Sequence, residues 1–168
     1  KIARDLRIDP EGENPVTLVD LKAGIEDSAR GVLTGLDWAL LIVDPTNASL
    51  QLASDMKHMV DQIKADVPPA TDHLEDPELV EAARKVFGEA RIKGVLCVLN
   101  RMRDDEMEAH MQKRLRERGI EPIGRIREDA SIANAWLAGT PIASATTKKD
   151  METIVRELEA AEVASQQE

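Results

Sequence analysis

Asp20 and Gly24 are the residues from which chemistry is most readily built. Val16-Thr17-Leu18-Val19 is a short β-prone run that would deliver the Asp20 carboxylate at its C-terminal end, after which the chain turns through Ala23-Gly24. Beside a bound nucleotide, a carboxylate so placed can organise Mg²⁺ or its water, and a glycine lets backbone approach a γ-phosphate. The same spacing is that of an ordinary strand end and turn, and turn chemistry is the commoner cause of such a pair. Asn100 stands in a comparable place, where the apolar run Val95-Leu96-Cys97-Val98-Leu99 gives way to Asn100-Arg101. Read by itself it is as much a polar strand end as a binding residue.

Both sites need strands to position them. Trp38 to Val43 and Val95 to Leu99 are apolar without polar alternation, the pattern of strands covered on both faces and therefore paired in parallel; Ile120 to Ile126 is a weaker strand. Between them the period becomes helical. Leu52, Met56, Met59 and Ile63 share a face widened by Ala53 and Val60, with Ser49 as a cap, and Asp76-Pro77 opens a second helix carrying Leu79, Val80, Ala83, Val86 and Phe87. Met107, Met111 and Leu115 predict a third helix stopped at Gly119. Asp129 can cap a short fourth with Ile132, Ala133, Trp136 and Leu137, and from Lys148 the positions Met151, Ile154, Val155 and Leu158 predict a last one that frays over residues 164–168. Strands alternating with helices make this an α/β protein with a doubly wound, mainly parallel sheet flanked by helices, whose functional groups belong where strands end. The expected division is an α/β domain over residues 1–147 followed by an acidic amphipathic helix and tail over 148–168.

Composition removes several classes of function. A formal charge of −10 with no basic cluster argues against nucleic-acid binding through a basic face. The single cysteine, Cys97, excludes an intrachain disulfide and fits a reducing compartment. No segment reaches the roughly 20 apolar residues of a membrane span, and no signal peptide is visible, so a cytoplasmic protein is expected. In the last helix Asp150, Glu152, Glu157, Glu159 and Glu162 stand against a lone Arg156, which disfavours anionic membranes.

Asp20-Leu-Lys-Ala23-Gly24, then Gly31, the strand ending Val43-Asp44-Pro45 and the strand ending Val98-Leu99-Asn100-Arg101 together resemble the MinD/ParA/nitrogenase-iron-protein group of P-loop ATPases. The likeness extends over about residues 16 to 142 and rests on order and spacing. Asp20-Leu-Lys-Ala-Gly-Ile-Glu26 and Arg30-Gly31 are most similar to the nickel-insertion ATPases that mature carbon monoxide dehydrogenase. The resemblance implies a P-loop NTPase-like fold without its first strand, ATP or ADP and Mg²⁺ as cofactors of a full-length parent, and a homodimer that acts on a client protein. Asp20 would be the switch carboxylate, touching Mg²⁺ indirectly, and Ala23-Gly24 the segment that answers to the γ-phosphate. Asn100, next to Arg101, would contact adenine, and the backbone from Arg125 to Asp129 would lie along the base, with Arg127 where the family usually has proline. A guanine-type Asn-Lys-x-Asp motif would need an acid at position 103, which is Arg103.

The loop that grips phosphate is missing from the sequence. Neither Gly-x-x-x-x-Gly-Lys-Ser/Thr nor the family's Lys-Gly-Gly-x-Gly-Lys-Ser/Thr occurs. A backbone nest and a lysine supply most of the phosphate binding in this mechanism, so these 168 residues alone are expected not to hydrolyse ATP efficiently. The leading expectation is the C-terminal portion of an ATP-driven switch serving metallocentre assembly or partner switching, and the start at Lys1 fits a longer parent. The alternative is a loop-less relative that binds or regulates without catalysis. No nickel motif is present, because the family's Cys-x-Cys pair is absent and Cys97 reads as a buried thiol. His58 and His110 fall on packed helices. Asp72-His73-Leu-Glu75-Asp76 has metal-ligand types without a defined ligand spacing and reads as a solvated acidic loop, and the long segment Val67 to Arg91 reads as an added covering helix rather than a partner contact.

Overall fold

Val95 to Leu99 is the run on which the sheet is built. In the computed structural model, which describes residues 16–21, 33–65, 67 and 77–166, it forms the middle of strand β2 (Gly94–Met102). Strand β1 (Trp38–Val43) lies on one side of β2 and β3 (Pro122–Arg127) on the other, in a three-stranded parallel sheet of order β1-β2-β3. Successive side chains of a strand point to opposite faces, yet Cys97, Val98 and Leu99 are all fully buried, so the centre of the sheet is covered on both sides. This is the α/β arrangement expected from unbroken apolar runs.

The helices follow in chain order. After β1 come helices α1 (Asn47–Lys64) and α2 (Pro77–Gly88), and after β2 comes α3 (Asp105–Arg116). After β3 come α4 (Ala130–Ala138) and α5 (Ala145–Ser165). Beneath Cys97 and Leu99 the core gathers Val43, Leu50, Ala53, Met111, Leu115 and Ile120. On the opposite face Gly124, in register with Val98, lets α5 approach so closely that a Cβ there would meet Ile154 Cγ1 at 2.8 Å. The absence of a side chain at Gly124 is what lets Ile154 bury completely.

By contact density the chain forms two compact units, residues 40–54 with 95–168, and residues 1–39 with 55–94. The first holds the sheet core just described. In the second, Leu33 of a short 3₁₀ turn (Leu33–Gly35), Ala39, Met56, Val60, Ile63 and Ile92 are buried, and the Lys93 N–H donates to Asp37 O at 2.8 Å.

Three sequence expectations change. The strand expected at Val16 to Val19 is not formed: residues 16–21 have no regular structure, and Val16 and Leu18 are 93% and 83% exposed. Four β-prone residues gain nothing from extension unless a neighbouring strand takes their backbone groups, and the sheet of the described residues does not include them. Helix α1 starts before Ser49, because Thr46 is the cap: its Oγ1 accepts the Ser49 N–H at 3.1 Å and donates to Ser49 Oγ at 3.0 Å. Helix α5 starts three residues before Lys148, capped by Ser144, whose Oγ accepts the Thr147 N–H at 3.0 Å.

Candidate functional site at the strand ends

In a parallel sheet every strand delivers its last residues to the same edge, and ligands of such folds bind there. Here that edge holds Asp44 from β1, Asn100 and Arg101 from β2, and Arg127, Glu128 and Asp129 from β3. Pairing of β2 with β3 slips between Leu99 and Met102: Leu99 faces Arg125 and Met102 faces Arg127, so three steps on β2 match two on β3. The extra residue is a β-bulge, a device that re-aims side chains at strand ends.

Arg101 carries the distortion. Its φ is 58°, in the left-handed region that a non-glycine residue enters at a cost of about 1–2 kcal/mol. Such a residue persists where its side chain is needed. Arg101→Gly should therefore raise unfolding stability by about 0.5–1 kcal/mol in urea denaturation, the gain being trimmed by glycine's looser unfolded chain. A loss of stability would mean that the guanidinium is there for folding.

Asn100 is held from the side. Its Nδ2 donates to Asp44 Oδ1 at 2.8 Å, which ties the end of β2 to the end of β1 and fixes the plane of the amide. An amide fixed in this way can still present its carbonyl and second N–H to the edge of an adenine. Asp44 is thus the positioning partner that a reading of strand ends one at a time does not pair.

The three arginines differ in how firmly their charge is taken up. Arg125 reaches Asp105 Oδ1 at 3.2 Å and also pairs with Glu108, both on α3. Arg127 donates its backbone N–H to Asp150 Oδ2 at 3.0 Å, and its guanidinium makes a two-pronged contact with the same carboxylate, Nη2 to Oδ1 at 2.7 Å. Hydrogen bonding to Asp150, then its charge, raises the Arg127 guanidinium further above its ordinary value. For Asp150, burial pushes the carboxyl up, but the Arg127 hydrogen bonds and charge outweigh that and hold it below the usual carboxylate range. Among the described residues Arg101 has only a 3.7 Å contact with Glu128, and its side chain is 64% exposed. Of the three, Arg101 keeps the charge most accessible to a ligand.

Asp129 caps α4 by accepting the Ser131 N–H at 2.8 Å, and it accepts the Ser144 hydroxyl at 2.5 Å. Those two bonds, Ser144 first, hold its carboxyl below the ordinary value. Its role here is to join the starts of α4 and α5 and so to fix the backbone after β3.

Of the residues singled out from sequence, Asn100, Arg101, Arg125, Arg127 and Asp129 therefore share one region. Asp20 is exposed in the segment 16–21 of the other unit, and Gly24 and the acidic loop 72–76 lie outside the described residues. Among the described residues no group of three His, Cys, Asp or Glu could hold a metal ion, and no helix is long and apolar enough to cross a membrane. Cys97 is fully buried in the central strand, and burial pushes its thiol up to about 12.

What these observations define is a parallel α/β sheet with a polar, partly strained edge where its strands end. No protein-family model matches the chain. A Methanocaldococcus jannaschii protein named an uncharacterized ATP-binding protein is 24% identical over 127 residues, 76% of this chain and 39% of that protein. The MinD cell division protein of Aquifex aeolicus superposes with a TM-score of 0.47 at 18% identity, over 77% of this chain and 46% of that one. The chain spans less than half the length of both. It is a distant relation of an ATP-binding protein.

Proposed function

We propose that this chain supplies the base-recognition and switch part of an ATP-driven ATPase of the MinD/nitrogenase-iron-protein type, serving metallocentre assembly or partner switching as a dimer. The phosphate-gripping loop comes from elsewhere in a longer protein. The observation that carries the reading is Asn100, fixed by Asp44 at the end of the central strand beside the strained Arg101. The distant ATP-binding relative supports it. ATP fits this edge through its base, with Asn100 facing the adenine edge and the backbone of residues 127–129 alongside. Bound ATP would supply the phosphoryl group whose loss resets the switch. Asp20 and Gly24 remain the proposed switch residues, acting on Mg²⁺ and the γ-phosphate.

Calorimetry with Mg-ATP on the longer protein tests this. Asn100→Ala should weaken binding about tenfold, the worth of one to two hydrogen bonds, and reduce the preference for ATP over GTP. Asp44→Ala should weaken it less, because it removes only the positioning contact. Asp20→Asn should leave binding nearly intact and abolish hydrolysis; unchanged hydrolysis would remove Asp20 from the switch. Equal affinity for ATP and GTP in the parent would remove Asn100 from base recognition.

A further inference from the structure

Two neighbouring backbone donors at the end of β3 are already taken by the protein. The Glu128 N–H donates to Met102 O at 2.9 Å, within the sheet, whereas the Arg127 N–H leaves the ladder and donates to Asp150 Oδ2 of α5 at 3.0 Å. The second capture is built with care. Ile154, one turn beyond Asp150 on α5, seats on Gly124, where the missing side chain sets how near the helix comes to β3. The Arg127 guanidinium then holds the carboxylate, Nη2 to Oδ1 at 2.7 Å and Nε to Oδ2 at 3.1 Å, so that an oxygen lies on the N–H of the same residue. Asp150 is 8% exposed, so it acts on a ligand only through Arg127.

Asn100 is treated alike from the side of β1. Asp44 accepts one of its Nδ2 hydrogens at 2.8 Å, and because a carboxylate only accepts, the amide cannot turn its own oxygen that way. That oxygen stays an acceptor directed away from Asp44. With the N–H groups of residues 127 and 128 consumed, what their backbone offers a ligand is carbonyl oxygen, since each peptide unit carries one donor and an acceptor with two lone pairs. Acceptors suit an exocyclic amino group. Adenine carries one at position 6, where guanine and hypoxanthine carry an oxygen that another oxygen repels.

We infer that Asp150 is the positioning residue that sets base specificity at this edge. By capturing the Arg127 N–H it makes the end of β3 an acceptor surface, which selects a 6-amino purine against a 6-oxo purine. The inference rests on the nucleotide reading above and adds how that site distinguishes its base. It also gives the clasp a purpose beyond folding, because a guanidinium closed on a buried carboxylate adds no accessible charge to the edge and instead removes a donor from it.

Calorimetry of the longer protein with Mg-ATP and with Mg-ITP reads the preference directly, because the two nucleotides differ only around position 6 of the purine. Asp150→Ala should release the Arg127 N–H to a 6-oxo group and lower the preference for ATP over ITP about tenfold. Asp150→Leu, which keeps the volume and offers no acceptor, gives the same reading should Asp150→Ala not fold. Adding Arg127→Pro to either should restore the preference, since proline has no N–H, and an edge strand accepts proline where its N–H lies outside the ladder. Asp150→Asn keeps an oxygen for the N–H and should hold most of the preference. A role in folding alone would lower both affinities together and leave their ratio unchanged. That outcome, or a preference that Arg127→Pro fails to restore, overturns the inference. A parent that binds neither nucleotide removes the function proposed above and this inference with it, whereas a parent whose preference for ATP survives in Asp150→Ala removes this inference alone.

Discussion

Leu99→Ala will lower the unfolding free energy by about 3–4 kcal/mol. Leu99 is fully buried, belongs to the core of Val43, Leu50, Met111 and Leu115, and sits in the central strand where both neighbours restrict collapse of the cavity. Urea denaturation should show the loss as a shifted midpoint at constant slope. The residue immediately precedes Asn100, so nucleotide affinity should fall further in this variant than its stability predicts for a remote core site. Val16→Ala provides the contrast: at 93% exposure it should change stability by no more than about 0.5 kcal/mol. A cost of several kcal/mol at Val16 would restore the strand that its sequence suggests.

Asp150→Ala will destabilise the protein by about 2 kcal/mol, and the penalty will disappear in acid. The carboxylate is 8% exposed and accepts from the Arg127 backbone and guanidinium, so the substitution leaves a cation and a backbone donor unpaired. The Arg127 side chain is 41% exposed and can turn to water, which keeps the cost below the 3–5 kcal/mol typical of breaking a fully buried pair. The sign with pH follows from the depressed carboxyl of Asp150. Its contribution is present above the unfolded-state value of about 3.9 and is lost as pH falls through the lower folded-state value. Urea midpoints of the parent and Asp150→Ala should therefore differ at neutral pH, begin to approach each other only below about pH 4, and meet in stronger acid. A gap of constant size down to strongly acidic pH would show that packing, not the ion pair, is lost.

Features that depend on neighbours in sequence were legible, and those that depend on neighbours in space were not. Strands β1 and β2 announce themselves because burial on both faces requires an unbroken apolar run, and α2 begins at Pro77 because a missing N–H costs nothing there. Asp129 reads as a cap from its place ahead of Ile132 and Trp136, and it is one. The same rule failed at Ser49, where Thr46 three residues earlier competes for the cap and wins. Val16 to Val19 has β propensity without a pairing partner, and propensity alone does not make a strand. In the candidate site the strand-end positions of Asn100 and Arg101 were visible as an apolar-to-polar change. The Asp44 contact spans 56 residues and the Arg127–Asp150 clasp spans 23, so neither leaves a periodic trace. The left-handed Arg101 had no signal either, since such positions are normally marked by glycine, asparagine or aspartate.

Cys97 gives the molecule a native reporter. It is the only thiol, lies with no exposed surface in the central strand, and has its ionisation pushed up to about 12 by burial. A thiol reagent added to the folded chain can reach it only when that strand opens, so the labelling rate measures the opening equilibrium of the sheet's centre and is blind to fraying at the helix ends. Followed in the presence of ATP, of a second copy, or of a core substitution, the same single residue would report how much each one tightens or loosens the middle of the fold.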